Sequence, residues 1–367
     1  MSARAAVPTL IRTTSYRRPF VDLFTPIVPA ERQHPIFRML LATDNTPERA
    51  VLTEWATGFQ DRDGKFVQEF QTTFESSFWE LYLHATLKAL GLTVDGAFAS
   101  PDFVVTAPTP LVLEATIASP AQGGALAFGA DPPQLPGDLN EFNRQAIVRL
   151  CNSFTAKAKR YREYYATLPQ AKERPFVIAI APFDRPQAHL AANRPIIAAL
   201  YGVYFDEEAT IAGQTDAVVN YDIDAVPKHA TADVPVGFFT NPDYAEVSAV
   251  IYGPLATWGK LRALADAPDK GIWFTTLHPS SSELIPQIRK TPKSVYVEHL
   301  LDGLYVLHNP FAAHPLTPEV FAHERLAQFL VRGDGTVEEV GPDDFLLMRS
   351  LITLSSRDEV DRAQGRG

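Results

Sequence analysis

Residues 100–119 read SPDFVVTAPTPLVLEATIAS, and the fold turns on how this stretch is read. Two β-type runs, Asp102–Thr106 and Leu111–Ile117, flank the turn-forming Ala107-Pro108-Thr109-Pro110, so a hairpin is expected. The second run is almost wholly apolar, which suits a strand buried on both faces. It holds one carboxylate, Glu114, whose charge costs several kcal/mol there unless it is paired or bound to a metal. Asp102 opens the first run directly after Pro101, so two acids are placed 114 − 102 = 12 residues apart.

Outward from the hairpin, Gln68–Leu90 carries Phe70, Phe74, Phe78, Leu81 and Ala85 at the three- and four-residue steps of one helical face. Gly91 can stop that helix in the left-handed region, and Leu92–Phe98 reads as a short strand. After the hairpin, the Gly- and Pro-rich Pro120–Gly137 is long enough for a lid or a flap. A long helix then starts at Asp138 or Asn140, either of which can cap it, and runs to Tyr165. Pro175–Ala181 is a buried strand. Helices separating strands in this order predict an α/β fold with a mixed sheet.

The second half predicts a strand within Tyr244–Tyr252, a short helix over Thr257–Ala265 and more strand over Lys293–Leu307. A helix over Pro318–Leu330 follows, then a Gly333-Asp334-Gly335 turn, a last strand and a last helix. Residues 1–60 are Pro- and Arg-rich, with one helical piece near Pro47–Thr57, and read as an arm on the main body. No linker separates the halves. The expected organisation is an arm (1–60), a core (61–185) and a C-terminal α/β extension of the same sheet (186–367).

The 367 residues are 46% hydrophobic and 21% charged, enough to bury a large core. A net charge of −10 disfavours indiscriminate binding to duplex DNA but leaves room for a local basic groove. The single Cys151 precludes internal disulfides and fits a reducing compartment. No apolar run reaches the roughly 18 residues of a membrane span. The expectation is a cytoplasmic protein with no membrane partner.

Four residues carry the candidate chemistry. Glu80 is the one charge in Phe78-Trp79-Glu80-Leu81-Tyr82-Leu83; Asp102 and Glu114 lie on the hairpin; Lys157 lies on the long helix between Phe154 and Tyr161, at the edge of its apolar face. Over about residues 65–185 this order resembles the PD-(D/E)XK nuclease superfamily, the restriction-endonuclease-like fold. The resemblance implies an αβββαβ core, a mixed central sheet flanked by helices, and a Mg²⁺-dependent endonuclease acting on phosphodiester bonds. It implies that Glu80, Asp102 and Glu114 hold Mg²⁺ or Mn²⁺, and that the motif lysine orients or activates the attacking water. The partner implied is nucleic acid, DNA before RNA, with a homodimer one of several open oligomeric states. Where that pattern expects the lysine, this chain has Thr116. Some members supply it from the following helix, and Lys157 is the candidate. Arg144 and Arg149 are candidates for facing phosphate.

Each assignment has a plainer alternative. Asp102 alone is a common Pro-Asp turn, Glu114 can pair with an arginine such as Arg149, and Glu75 competes with Glu80. Lys157 can snorkel from the core face, and Arg144 and Arg149 can simply coat the helix. With Thr116 in place of lysine, a catalytically inert scaffold of this fold is the rival reading. Phosphate-loop, dinucleotide and nucleophile-elbow motifs are all missing. The scattered histidines form no zinc pattern, His308-Asn309-Pro310 reads as a turn with a satisfied histidine, and Cys151 as a small buried residue.

Overall fold

The computed structural model describes residues 21–127, 136–213, 217–229, 231–280 and 285–354. Eight α-helices occur among them: α1 (Pro35–Leu40), α2 (Thr46–Trp55), α3 (Phe66–Thr72), α4 (Phe74–Ala89), α5 (Leu139–Glu163), α6 (Arg194–Tyr201), α7 (Glu207–Ala212) and α8 (Trp258–Leu264). One mixed sheet of eight strands organises them: β1 (Thr93–Val94), β2 (Phe103–Ala107), β3 (Leu111–Ala118), β4 (Phe176–Pro182), β5 (Ala249–Tyr252), β6 (Tyr305–His308), β7 (Ala327–Val331) and β8 (Val337–Val340), in that spatial order. Pairing is antiparallel from β1 to β3, parallel from β3 through β5, then antiparallel, parallel and antiparallel to β8.

The alternation of side chains across a strand splits the core in two. Phe103, Leu111, Leu113, Val177 and Ala179 face a layer built on α4 and the N-terminal helices. Val104, Val112, Phe176 and Ile178 face α5 and α6. On α4 the rings of Phe74 and Phe78 stack at 5.6 Å, and the Trp79 indole donates to the Ala179 carbonyl at 3.1 Å. Gly253 makes room for that indole, since a Cβ there would lie 2.6 Å from it. Asp138 caps α5, its Oδ1 accepting from the Glu141 amide at 2.7 Å. Ile147, Leu150, Cys151, Phe154 and Ala158 then bury one face of the helix. Burial pushes the Cys151 thiol up to about 12, which leaves it inert.

Several boundaries differ from the sequence reading. The Gln68–Leu90 helix is two, broken at Thr73 (φ −130°, ψ 56°), where two consecutive β-branched threonines have below-average helix preference. Only Thr93–Val94 of the expected Leu92–Phe98 strand pairs. Residues 128–135 of the Pro120–Gly137 loop lie outside the described residues. Lys293–Leu307 holds strand only at β6. Pro318–Leu330 is one 3₁₀ turn (Pro318–Phe321) followed by β7. Pairing on both sides with β6 and β8 outweighs the helical preference of its letters. After β8, Met348–Thr353 is a further strand, in a separate three-stranded sheet with Ile272–His278 and Gln287–Pro292; the expected last helix has no counterpart between β8 and residue 354, and residues 355–367 lie outside the described residues.

A buried charge cluster fastens that second sheet to the main body. Lys260 of α8 donates to Glu298 Oε1 at 2.5 Å, the Arg349 guanidinium reaches the same oxygen, and the Tyr296 hydroxyl donates to Oε2 at 2.6 Å. Lys260 also bonds the carbonyls of His299 (3.1 Å) and Asp302 (2.8 Å), and Arg349 that of Leu255 (2.8 Å). The Lys260 and Glu298 side chains are wholly enclosed. Removing the carboxylate strands two buried cations, so Glu298→Gln should cost about 3–5 kcal/mol in urea unfolding. Lys159→Ala, which breaks the exposed 3.7 Å pair with Glu163, should cost under about 1 kcal/mol. Equal losses would show that the cluster carries no special weight.

Candidate functional site

The β2–β3 register places the two hairpin acids. Phe103 pairs with Leu113 and Val104 with Val112, so Asp102 and Glu114 lie one residue beyond the first pair. They share the face of Val104 and Val112, toward α5. The Asp102 amide donates to Glu114 Oε2 at 3.4 Å, and Asp102 Oδ2 accepts from the Ala115 amide at 2.8 Å. Because β2 starts here, β3 has no partner strand beyond Glu114 on this side. The Asp102 carboxylate thus meets a backbone donor that a neighbouring strand would otherwise satisfy.

Glu114 is 3% exposed, and its Oε1 accepts from Lys157 Nζ at 2.6 Å. A helix advances about 100° per residue, so Arg149, Ser153 and Lys157 form one row. The row faces β3, because the Ser153 hydroxyl donates to the Ile117 carbonyl at 3.0 Å. Lys159 points to solvent and pairs with Glu163. Glu114 pairs with Lys157 and not with Arg149, which forms no ion pair or hydrogen bond with another described residue.

Glu80 approaches from α4, on the other face of the sheet. Its Oε1 lies 3.6 Å from the Arg62 guanidinium, which also donates to the Phe98 (2.7 Å) and Pro101 (3.4 Å) carbonyls, just before Asp102. Burial first, then the Asp102 charge, push the Glu80 carboxyl up to about 8, with Arg62 opposing. Burial and the Glu114 charge likewise push Asp102 up to about 7, against Lys157. The three acids thus interact electrostatically. Glu75 instead faces His34 at 3.3 Å. Among the described residues, no group of three or more histidine, cysteine, aspartate or glutamate side chains is arranged to hold a metal ion.

Arg144 lies apart, roughly 20 Å along the helix from Lys157 at 1.5 Å per residue. Both its Nε and Nη2 donate to Glu141 at 2.6 Å, and its Nη1 donates to the Pro227 carbonyl. His308 and Asn309 are structural, His308 on Gln328 at 2.8 Å and Asn309 on the Tyr244 and Val247 carbonyls.

Two neighbours were not anticipated from the sequence. Arg62, within Asp61-Arg62-Asp63-Gly64, looks like any solvated turn. The Tyr165 hydroxyl accepts from Arg160 Nε at 3.1 Å and is held above its usual range by burial and then by Glu114. Its signal was present, because Lys157, Tyr161 and Tyr165 continue the four-residue row.

No protein-family model, curated protein or solved structure matches this chain.

The raised acids set a pH dependence. Folded Glu80 keeps its proton to about pH 8, whereas the ordinary value is 4.5. Between these the folded chain binds more protons than the unfolded one, so this group's contribution to stability falls as pH rises. Glu80→Gln should flatten that decline, so that urea midpoints of variant and wild type diverge in the variant's favour toward pH 8. A variant that is less stable than wild type at pH 8 would mean that the Arg62 contact outweighs the crowding.

Proposed function

We propose that the chain is a metal-dependent nuclease-like phosphodiesterase related to the PD-(D/E)XK superfamily, with its lysine supplied by α5. The observation that carries this reading is the contact of Lys157 Nζ with Glu114 Oε1 at 2.6 Å, beside an Asp102 on the same face of the sheet. The run α4–β1–β2–β3–α5–β4 also follows the expected αβββαβ order. The substrate proposed is nucleic acid, DNA before RNA.

Asp102 and Glu114 would hold a hard cation such as Mg²⁺, which prefers oxygen donors and needs few protein ligands, although among the described residues no third acid is arranged beside them to complete a metal group; Glu80 would act on that site through its charge. Burial first, and then repulsion between the acids, hold the Glu80 and Asp102 carboxyls at about 8 and 7 against Arg62 and Lys157, and a bound cation would lower both. When bound, such an ion supplies charge neutralisation at phosphate and a more acidic water. The residues do the rest. Glu114 fixes the Lys157 ammonium at the end of the long helix row, where it can stabilise charge developing on a phosphoryl group. Ala115 N–H fixes the Asp102 carboxylate, and Arg62 sets Glu80.

One feature favours the rival inert scaffold. Lys157 and Arg62 already pair Glu114 and Glu80, so the cluster is partly neutralised without a metal. Cleavage of a labelled DNA duplex and a single strand with Mg²⁺ or Mn²⁺ separates the two. Activity should fall on the order of 10²-fold or more in Lys157→Ala, vanish in Asp102→Asn, and be unchanged in Lys159→Ala. No cleavage by the wild type, or equal activity in both lysine variants, would leave the scaffold.

A further inference from the structure

The edge of α5 that meets the hairpin carries more than Lys157. At about 100° per residue, Arg149, Ser153, Lys157, Arg160 and Tyr164 fall within a sector of roughly 80°, along roughly 22 Å of helix. Lys157 is committed to Glu114. Arg149 and Arg160 form no ion pair with a described residue.

The far end of this edge is aromatic. The Arg160 guanidinium lies 5.3 Å from the centroid of the Tyr164 ring and 5.5 Å from that of Tyr165. Its Nε donates to the Tyr165 hydroxyl at 3.1 Å, and neither Nη bonds to another described residue. Tyr165 is buried, whereas Tyr164 is 43% exposed. The outer ring is thus steadied from below and open above.

This aromatic step adjoins the carboxylates. The Gln170 amide donates to the Ser100 carbonyl at 2.7 Å, which ties the segment after α5 to the residues just before Asp102. The Glu114 carboxylate interacts electrostatically with both Tyr165 and Arg160.

Charge and ring exposure together sort the possible substrates. Affinity for a duplex draws on many phosphate contacts, and this edge offers two unpaired cations on a chain of net charge −10. In a duplex the base faces are covered by their neighbours. A single strand leaves them free, and an exposed tyrosine beside a guanidinium stacks on such a base whatever its sequence.

We propose that Tyr164 and Arg160 form a stacking platform for single-stranded nucleic acid at the mouth of the Asp102–Glu114 site. A base lies on the Tyr164 ring, the Arg160 Nη groups meet a neighbouring phosphate, and the strand runs along α5 toward Lys157 and Arg149. Resting on the nuclease reading, the platform makes a single strand the preferred substrate.

Fluorescence anisotropy with a labelled oligothymidylate, and with its duplex with oligoadenylate, reads binding by the full chain in EDTA, apart from any cleavage. Wild type should bind the single strand about tenfold or more tightly than the duplex, a difference of about 1.4 kcal/mol. Tyr164→Ala should remove that preference and leave duplex binding and the thermal melt unchanged, whereas Tyr164→Phe, which keeps the ring, should bind like wild type. Single-strand binding lost in Tyr164→Ala, with no cleavage by wild type when Mg²⁺ is supplied, would keep the platform and remove the nuclease reading. No single-strand binding, equal affinity for the two forms, or an unchanged Kd in Tyr164→Ala would overturn the platform, whatever the cleavage assay gives.

Discussion

The Glu114–Lys157 ion pair is the contact on which the first half of the molecule depends. A carboxylate in a strand buried on both faces is tolerable only with a partner, and the partner must come from the helix packed on that face. The contact therefore fixes the rotation of α5 against β3, because only one of the helix lysines can reach. Ser153 on the Ile117 carbonyl holds the same face one turn earlier. With α5 set, Ile147, Phe154 and Ala158 meet Val112, Phe176 and Ile178 in a single layer. Asp102 is then held between Glu114 and the Ala115 amide at the point where β2 begins. Stability and candidate chemistry use the same atoms here.

The hairpin, the long helix and the strand after it were legible because they carry strong local signals. Those signals are a lone acid in an apolar run, prolines in the turn, a 3.6-residue period, and an aspartate at the helix cap. Lys157 stood out because it lies between Phe154 and Tyr161, at the edge of the helix's apolar face. Other features lacked any local signal. Arg62 reaches Glu80 across the open end of the sheet, and no spacing rule links residues 62, 80 and 102. The Lys260–Glu298–Arg349 cluster joins three distant segments whose sequences look solvated. Ala327–Val331 reads as helix in isolation, and it becomes strand because β6 and β8 offer pairing on both edges. The break at Thr73 was hidden by a continuous phenylalanine stripe.

Two kinds of charged site emerge, with opposite needs. At the hairpin, acids meet cations supplied by the chain itself, Lys157 and Arg62, and yet Glu80 and Asp102 still hold their protons near neutral pH. Burial and repulsion between the acids thus outweigh the pairing that Lys157 and Arg62 supply. The buried Glu298 cluster is the contrasting case: with two cations and a tyrosine hydroxyl on it, Glu298 is held below its usual range despite burial, by Arg349 and Lys260. Full satisfaction marks structure there, and partial satisfaction marks the candidate site.

The central claim is that the Asp102–Glu114 pair is a cation site. Calorimetric titration of Mn²⁺ into wild type and Asp102→Asn near pH 7, repeated in buffers of different ionisation heat, tests it most directly. The account predicts one ion per chain, with protons released on binding because Asp102 and Glu80 are partly protonated there, and loss of both signals in the variant. No saturable binding by the wild type, or binding unchanged in Asp102→Asn, would contradict it.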